Sequence, residues 1–250
     1  MIFNHTDIGE RIMKRSVIIS IFLLATGLCQ VCKAGQGSLS IDCVDENGRQ
    51  KTENRVVDAF DSVDIKGSFS FIIDCGHDYG LEITCDRNLL PFISTEVKNQ
   101  KLFIFAQKSI CATNGIKILI TSPAIRSIDA SGSNTISIKG IDNQTIAIRM
   151  DGSGEMHLSG NTKNLQADLA GSNLLDAKNL RSEKTSISIA GSSDASVNAS
   201  AVLDINISGV GDLTYYGNPK TILKNISGIG KIEPAESTTT RNAGDLDFRP

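Results

Sequence analysis

Tryptophan is absent from this chain, and aromatic residues make up only 5% of it. A domain built around a large aromatic centre is therefore not expected, and a core of isoleucine, leucine, valine and alanine suits thin layers of β-structure. Histidine is scarce, with three residues, which leaves few candidates for acid–base catalysis. The net charge of −3 lacks the positive excess of a nucleic-acid-binding surface, so no nucleic-acid partner is expected.

No apolar run is long enough to cross a bilayer, which takes about 20 residues, so no transmembrane segment is predicted. The apolar run at residues 17–28 is shorter and follows Lys14 and Arg15. Small residues precede a predicted cleavage point after Ala34. Residues 1–34 are therefore predicted to be an export signal.

Within this signal, Met13 is the favoured start of translation, because acidic residues ahead of it are unusual in a signal peptide. Lipidation at Cys29 or Cys32 is an open alternative. Cleavage removes four basic and two acidic residues, which leaves 21 basic against 26 acidic residues and a net charge of −5. Such a balance favours solubility and disfavours anionic partners.

The predicted mature chain keeps four cysteines, namely Cys43, Cys75, Cys85 and Cys111. An even number in an exported chain favours disulfides, and four cysteines allow three pairings, which the sequence leaves open. Free thiols are the alternative. These four cysteines include no Cys-x-x-Cys pair, so neither a metal site nor any other cofactor is predicted.

The second half of the chain repeats a short unit that turns at a glycine. These anchor glycines are spaced 20, 19, 20, 18 and 19 residues apart, and they are Gly132, Gly152, Gly171, Gly191, Gly209 and Gly228. Apolar residues alternate on both sides of each anchor, which predicts two short strands per unit, each with one buried face. One unit cannot shelter that face alone, so the units are expected to stack.

The regular spacing favours a parallel stack over a meander of antiparallel hairpins, since hairpins need no common register. We therefore predict an all-β fold, a parallel and right-handed β-helix or solenoid with about 19 residues per coil. Residues 122–235 form its regular part, and residues 58–121 alternate without this period and begin or cap the stack. Residues 35–57 are uncertain, and residues 236–250 form a polar tail.

The order of motifs in this region resembles a known family. The pattern runs Phe60-x-x-Val63-x-Ile65-x-Gly67-x-Phe69, Leu81-x-Ile83, Ile118-x-Ile120-x-x-Pro123 and Ser131-Gly132-Ser133. Over residues 58–235 it is similar to the auto-transporter adhesin head domain, or GIN domain, of exported Bacteroidetes proteins, whose biochemical function is unknown. The resemblance implies a β-solenoid and an envelope or surface location, and it brings no catalytic residues.

The best candidate constellation lies three residues before the anchor in consecutive units, where Asp129, Arg149 and Asp168 are expected to stack on the outer face. A weak ladder of exposed ion pairs is the expected role. The alternative is a site like that of β-helix polysaccharide lyases, which also gather acids and arginine on an outer sheet. Tyr216 is a further weak candidate, as a platform for a sugar ring.

No catalytic residue is predicted. His77 and His157 lack a Gly-x-Ser-x-Gly nucleophile turn and are expected to be ordinary surface residues. The leading hypothesis is a noncatalytic exported protein, in the periplasm, on the cell surface or secreted, that binds a glycan or a surface protein. A β-helix polysaccharide lyase or hydrolase and a periplasmic structural or sensing module are the alternatives. The ligand and the oligomeric state stay open.

Overall fold

The computed structural model of the protein describes residues 43–235. The predicted export signal and the predicted polar tail lie outside the described residues. Within residues 43–235 the regular elements are β-strands, apart from a 3₁₀ turn at Leu90–Phe92. No helix in this part of the chain is long and apolar enough to cross a membrane. The all-β class predicted from alternation is confirmed.

Short strands make up the first part. They are β1 (Val44–Asp45), β2 (Gln50–Arg55), β3 (Ser62–Gly67), β4 (Ser70–Cys75), β5 (Gly80–Asp86), β6 (Ile93–Lys98), β7 (Lys101–Ala106), β8 (Ile110–Cys111) and β9 (Lys117–Ser122). The second part holds β10 (Ser127–Gly191), β11 (Asp194–Ile207), β12 (Leu213–Tyr216), β13 (Thr221–Ile226) and β14 (Ile232–Pro234). Twelve of these strands form one sheet, and β1 and β8 form a second.

The long strand β10 is a run of 65 extended residues that bends at its glycines. A Cβ atom on Gly152 would lie 2.5 Å from the carbonyl oxygen of Gly132, and Gly152 has a φ of +127°. Consecutive anchor glycines therefore lie against each other, where a side chain has no room. Farther along, β10 and β11 pair in parallel, with Ile187 opposite Ile205 and Ile189 opposite Ile207.

The core is a column of aliphatic side chains that point inward from successive strands. The strand period of two residues places every second side chain inside. Fully buried members include Val63, Ile65, Ile104, Ile120, Ile136, Ile148, Ala167, Ile187, Ile205 and Ile207. The N-terminal strands join the same column, because β3 pairs in parallel with both β10 and β7.

The prediction of a parallel β-helix is wrong as a description of the fold. The sheet is mixed, because β2 pairs with β5, β5 with β9 and β6 with β7, all antiparallel. For β6 and β7 a short connection explains the antiparallel pairing, since parallel strands need a crossover of about a dozen residues. Only Asn99 and Gln100 separate β6 from β7. The β-solenoid implied by the family resemblance is corrected in the same way.

Of the four cysteines, Cys43 and Cys111 form a disulfide that joins residues 68 positions apart. This bond fastens β1 to β8, which pair in parallel. Cys75 and Cys85 are buried free thiols. The expectation of disulfides therefore holds for one pair, and the other two cysteines follow the free-thiol alternative. They lie on the inner face of β4 and β5, in the apolar core.

Candidate ligand-binding groove

The three stacked candidates take different partners. The ammonium of Lys101 on β7 donates a hydrogen bond to the Asp129 carboxylate at 2.8 Å, and this bond raises the pKa of Lys101. Arg149 forms no ion pair with the described residues. Asp168 accepts a hydrogen bond from the Gln166 amide at 3.3 Å. The column therefore presents separate polar groups on an exposed face.

The other candidates lie apart from one another. Tyr216 is half-buried on β12, opposite Asn198 of β11. The Nε2 atom of His77 lies 3.6 Å from a carboxylate oxygen of Asp74. The Nε2 atom of His157 lies 2.8 Å from a carboxylate oxygen of Glu155. Each histidine thus lies beside an exposed acidic group.

One group of acidic and sulfur side chains in residues 43–235 is close enough to suggest a metal site, and it consists of Cys43, Asp45 and Cys111. The two sulfur atoms are bonded to each other. Neither can act as a thiolate ligand, since a metal binds the deprotonated thiol. The group is therefore a disulfide next to an aspartate.

The column that contains Asp129 continues into the N-terminal strands. Asp129 lies opposite Asp64 of β3, and Asp64 lies opposite Phe103 of β7. Along β7, Leu102 and Ile104 point into the core. Their neighbours Phe103 and Phe105 consequently point outward, and Phe105 stays 37% exposed.

An ion pair lies on each side of the Phe103 and Phe105 rings. On β6, the Lys98 ammonium lies 2.7 Å from the Glu96 carboxylate. On β3, the Lys66 ammonium lies 3.8 Å from the Asp64 carboxylate. All four side chains are on the outer face, with β7 running between the two strands. The aromatic rings thus have a charged pair on either side.

These residues line an open cavity of about 430 Å³, together with Ala106. A neighbouring cavity of about 440 Å³ shares Lys66 and Ala106 with it. Ser68, Phe69, Lys108, Ser109 and Ile110 are among the residues that line this second cavity. We call these two adjacent cavities the groove.

The chemistry of the groove is mixed. The rings of Phe103 and Phe105 offer apolar faces for stacking. The flanking lysines donate hydrogen bonds, and the carboxylates accept them. A sugar ring has an apolar C–H face and polar hydroxyl edges, so it matches such a surface. None of the sequence candidates Asp129, Arg149, Asp168 and Tyr216 lines either cavity, although Asp129 lies opposite Asp64, which does.

Sequence reasoning overlooked the two phenylalanines. The stretch Leu102-Phe103-Ile104-Phe105 is apolar at four consecutive positions, whereas a strand with one buried face should alternate. Once Leu102 and Ile104 are assigned to the core, the phenylalanines must face outward. Two outward aromatics in a chain with so few were therefore the available signal.

The described residues define an all-β protein of glycine-cornered repeats, with an aromatic groove on one outer face and a disulfide at one edge. The chain belongs to the family described as "Putative auto-transporter adhesin, head GIN domain", whose model matches residues 59–219. The family predicted from the order of motifs is therefore confirmed. No curated protein matches the chain.

Two solved structures resemble this one. A "putative adhesin" from Bacteroides fragilis NCTC 9343 is 22% identical with a TM-score of 0.65, over 77% of this chain and 100% of that chain. A "putative lipid binding protein" from Parabacteroides distasonis ATCC 8503 is 24% identical with a TM-score of 0.51, over 77% of this chain and 99% of that chain. At these identities the two structures show a similarity of fold and nothing more specific.

Proposed function

We propose that the protein is a noncatalytic, exported, adhesin-like protein that binds a glycan chain along the groove. The observation that carries the proposal is the pair of outward phenylalanines, Phe103 and Phe105, framed by ion pairs on β3 and β6. Exposed aromatic side chains on a soluble protein commonly mark a binding surface. Membership of an adhesin family supports the same conclusion.

The ion pairs contribute little to folding, because exposed pairs are worth about 0–1 kcal/mol. Their groups are therefore available to a ligand at low cost. Lys98 and Lys66 can exchange their carboxylate partners for sugar hydroxyls without leaving a buried charge. The rings supply the area that is removed from water on binding, and the charged groups supply orientation.

The proposal is tested with the mature chain on a broad panel of bacterial and host glycans, followed by titration of the best ligand. We expect Phe105→Ala to weaken binding by about tenfold or more, which corresponds to about 1.4 kcal/mol. Leu119→Ala is the matched control, since Leu119 is also 37% exposed and lies on β9. Both variants should keep the unfolding temperature of the parent protein.

Two results would overturn this function. The first is an absence of binding to every glycan on the panel. The second is binding that survives both Phe105→Ala and Phe103→Ala unchanged. Phospholipid vesicles belong in the same experiment, because binding to vesicles instead of glycans would replace the proposed ligand class. Protease treatment of intact cells tests the surface location, and protection of the protein would place it inside the envelope.

A further inference from the structure

Two loops meet beside the disulfide at the N-terminal edge. The first loop, residues 46–49, joins β1 to β2, and the second loop, residues 87–89, follows β5; Asp45 and Asp86 are the last residues of β1 and β5. Three hydrogen bonds tie them together. The Gly48 N–H donates to the Asp86 carboxylate, the Asn88 side-chain amide donates to the Asp45 carbonyl at 2.7 Å, and the Arg87 N–H donates to the Arg49 carbonyl at 2.8 Å.

Two side-chain oxygens at this junction have no partner. Asp86 is only 2% exposed, and its Oδ1 atom accepts no hydrogen bond. The Oδ1 atom of Asn88 is also buried and also accepts none. Throughout residues 43–235 no other buried side-chain oxygen or nitrogen is left without a partner. Both oxygens belong to one turn, two positions apart in the chain, and buried polar atoms in folded proteins normally have partners.

The carboxylates here have no ion-pair partner. The junction carries three acidic residues, Asp45, Glu46 and Asp86, and two arginines, Arg49 and Arg87, but no basic side chain of the described residues lies within 4.0 Å of the three carboxylates. Glu46 accepts hydrogen bonds from the backbone and side chain of Asn114 at 3.1 and 3.3 Å. Asp86 has one backbone donor, and a buried carboxylate with so little compensation is costly.

We propose that this junction binds a calcium ion, with Asp86 Oδ1 and Asn88 Oδ1 as two of its ligands. The spacing Asp-x-Asn places a carboxylate and an amide oxygen on one turn, and calcium takes oxygen ligands of both kinds. Neither oxygen is open to water, which disfavours magnesium, because magnesium usually keeps several bound waters.

The ion would fix the turn after β5, which hydrogen bonds from Asn88 and Arg87 join to the loop after β1. The disulfide Cys43–Cys111 fastens the other end of β1 to β8. Together the two cross-links would hold the first described strands, which lie at the margin of the molecule. β1 has only two residues and pairs only with β8, so its own backbone hydrogen bonds hold it weakly.

The test uses the full mature chain with its disulfide intact, first stripped of metal with EDTA. Titration calorimetry with calcium chloride should show one ion per chain, with a Kd of about 10⁻⁴–10⁻³ M, as for extracellular modules. At roughly 10 mM calcium the unfolding temperature should rise by about 5 °C above its value in EDTA. Magnesium at the same concentration should give a smaller rise.

Asp86→Asn keeps the shape of the side chain and should weaken calcium binding at least tenfold. In EDTA this variant should be as stable as the parent protein or more so, because it lacks the uncompensated charge. Asn88→Ala should also weaken calcium binding. If Asp86→Asn does not fold, the calcium affinity of Asn88→Ala tests the proposal instead. Asp204→Asn, on the exposed face of β11, is the control and should leave the response unchanged.

The proposal is overturned if the parent protein gives no calcium heat and unfolds at the same temperature in EDTA and in calcium. It is equally overturned if the calcium response persists in both Asp86→Asn and Asn88→Ala, because the ion then binds elsewhere. Glycan binding is measured separately through Phe105→Ala, so failure of one proposal does not affect the other.

Discussion

The two free thiols show how the environment of one residue sets its chemistry. Cys85 is 1% exposed on β5, and burial raises its pKa to about 11, with a smaller contribution from the Asp86 carboxylate. Burial also raises the pKa of Cys75. A thiol reacts as its thiolate, so both cysteines should be inert in the folded protein.

We expect neither Cys75 nor Cys85 to react with iodoacetamide at pH 8 in the native protein, and both to react once guanidinium unfolds it. Mass spectrometry after quenching counts the labels. Rapid labelling of the folded chain would contradict this burial.

The same pKa predicts how stability depends on pH. A thiol in the unfolded chain loses its proton near pH 8.5, whereas folded Cys85 keeps it up to about pH 11. The unfolded state therefore binds fewer protons in this window, and stability falls as pH rises through it. Urea unfolding at pH 7 and pH 10 should show a contribution on the order of 1–2 kcal/mol that Cys85→Ala removes.

At the level of elements, the hairpin of β6 and β7 decides the orientation of the groove. Lys98 lies opposite Lys101, so the turn consists of Asn99 and Gln100, with φ angles of 50° and 61°. A two-residue turn with two positive φ angles matches the right-handed twist of its strands. This hairpin brings Glu96 and Lys98 beside the phenylalanines.

Gln100 occupies a backbone region that suits glycine better. Gln100→Gly should therefore stabilise the protein by about 0.5–1 kcal/mol in urea unfolding. Gln144→Gly is the control, because Gln144 lies in β10 without a positive φ. There the same substitution should destabilise by a similar amount. A loss of stability in Gln100→Gly would show that its side chain matters more than its backbone.

For the whole molecule, the burial of an apolar side chain depends on where its strand lies in the sheet. Ile207 and Ile226 lie opposite each other in the paired strands β11 and β13. Ile207 is fully buried, whereas Ile226 is 43% exposed, because β13 pairs with no other strand in the described part of the chain. The same residue type at the same repeat position therefore contributes differently to stability.

Ile207→Ala should cost about 2–5 kcal/mol, because it opens a cavity between two repeats. Ile226→Ala should cost less than about 1 kcal/mol, since much of that side chain already contacts water. Chemical denaturation of the two variants measures this difference. Equal costs would mean that the end of the stack is as well covered as its middle.

Much of the core was predictable from the sequence, and the groove was not. The period of two within each strand identified inward residues such as Ile148, Ile187 and Ile205, because alternation is a property of the single strand. The outward pair Phe103 and Phe105 becomes a groove only when β3 and β6 lie on either side of β7. That arrangement depends on pairings between distant segments, which local patterns do not encode.

The β class, the spacing of the anchor glycines and many of the inward-facing residues were predictable from the amino-acid pattern, because each follows from the geometry of one strand or one turn, where the chain has few choices. The family was predictable from the order of its motifs. Long-range contacts in the folded chain were needed to establish that the sheet is mixed, that Cys43 joins Cys111, and that Asp86 is buried without a partner for one oxygen. Those features arise where segments far apart in the chain meet, and many pairings compatible with the local pattern differ only in those contacts.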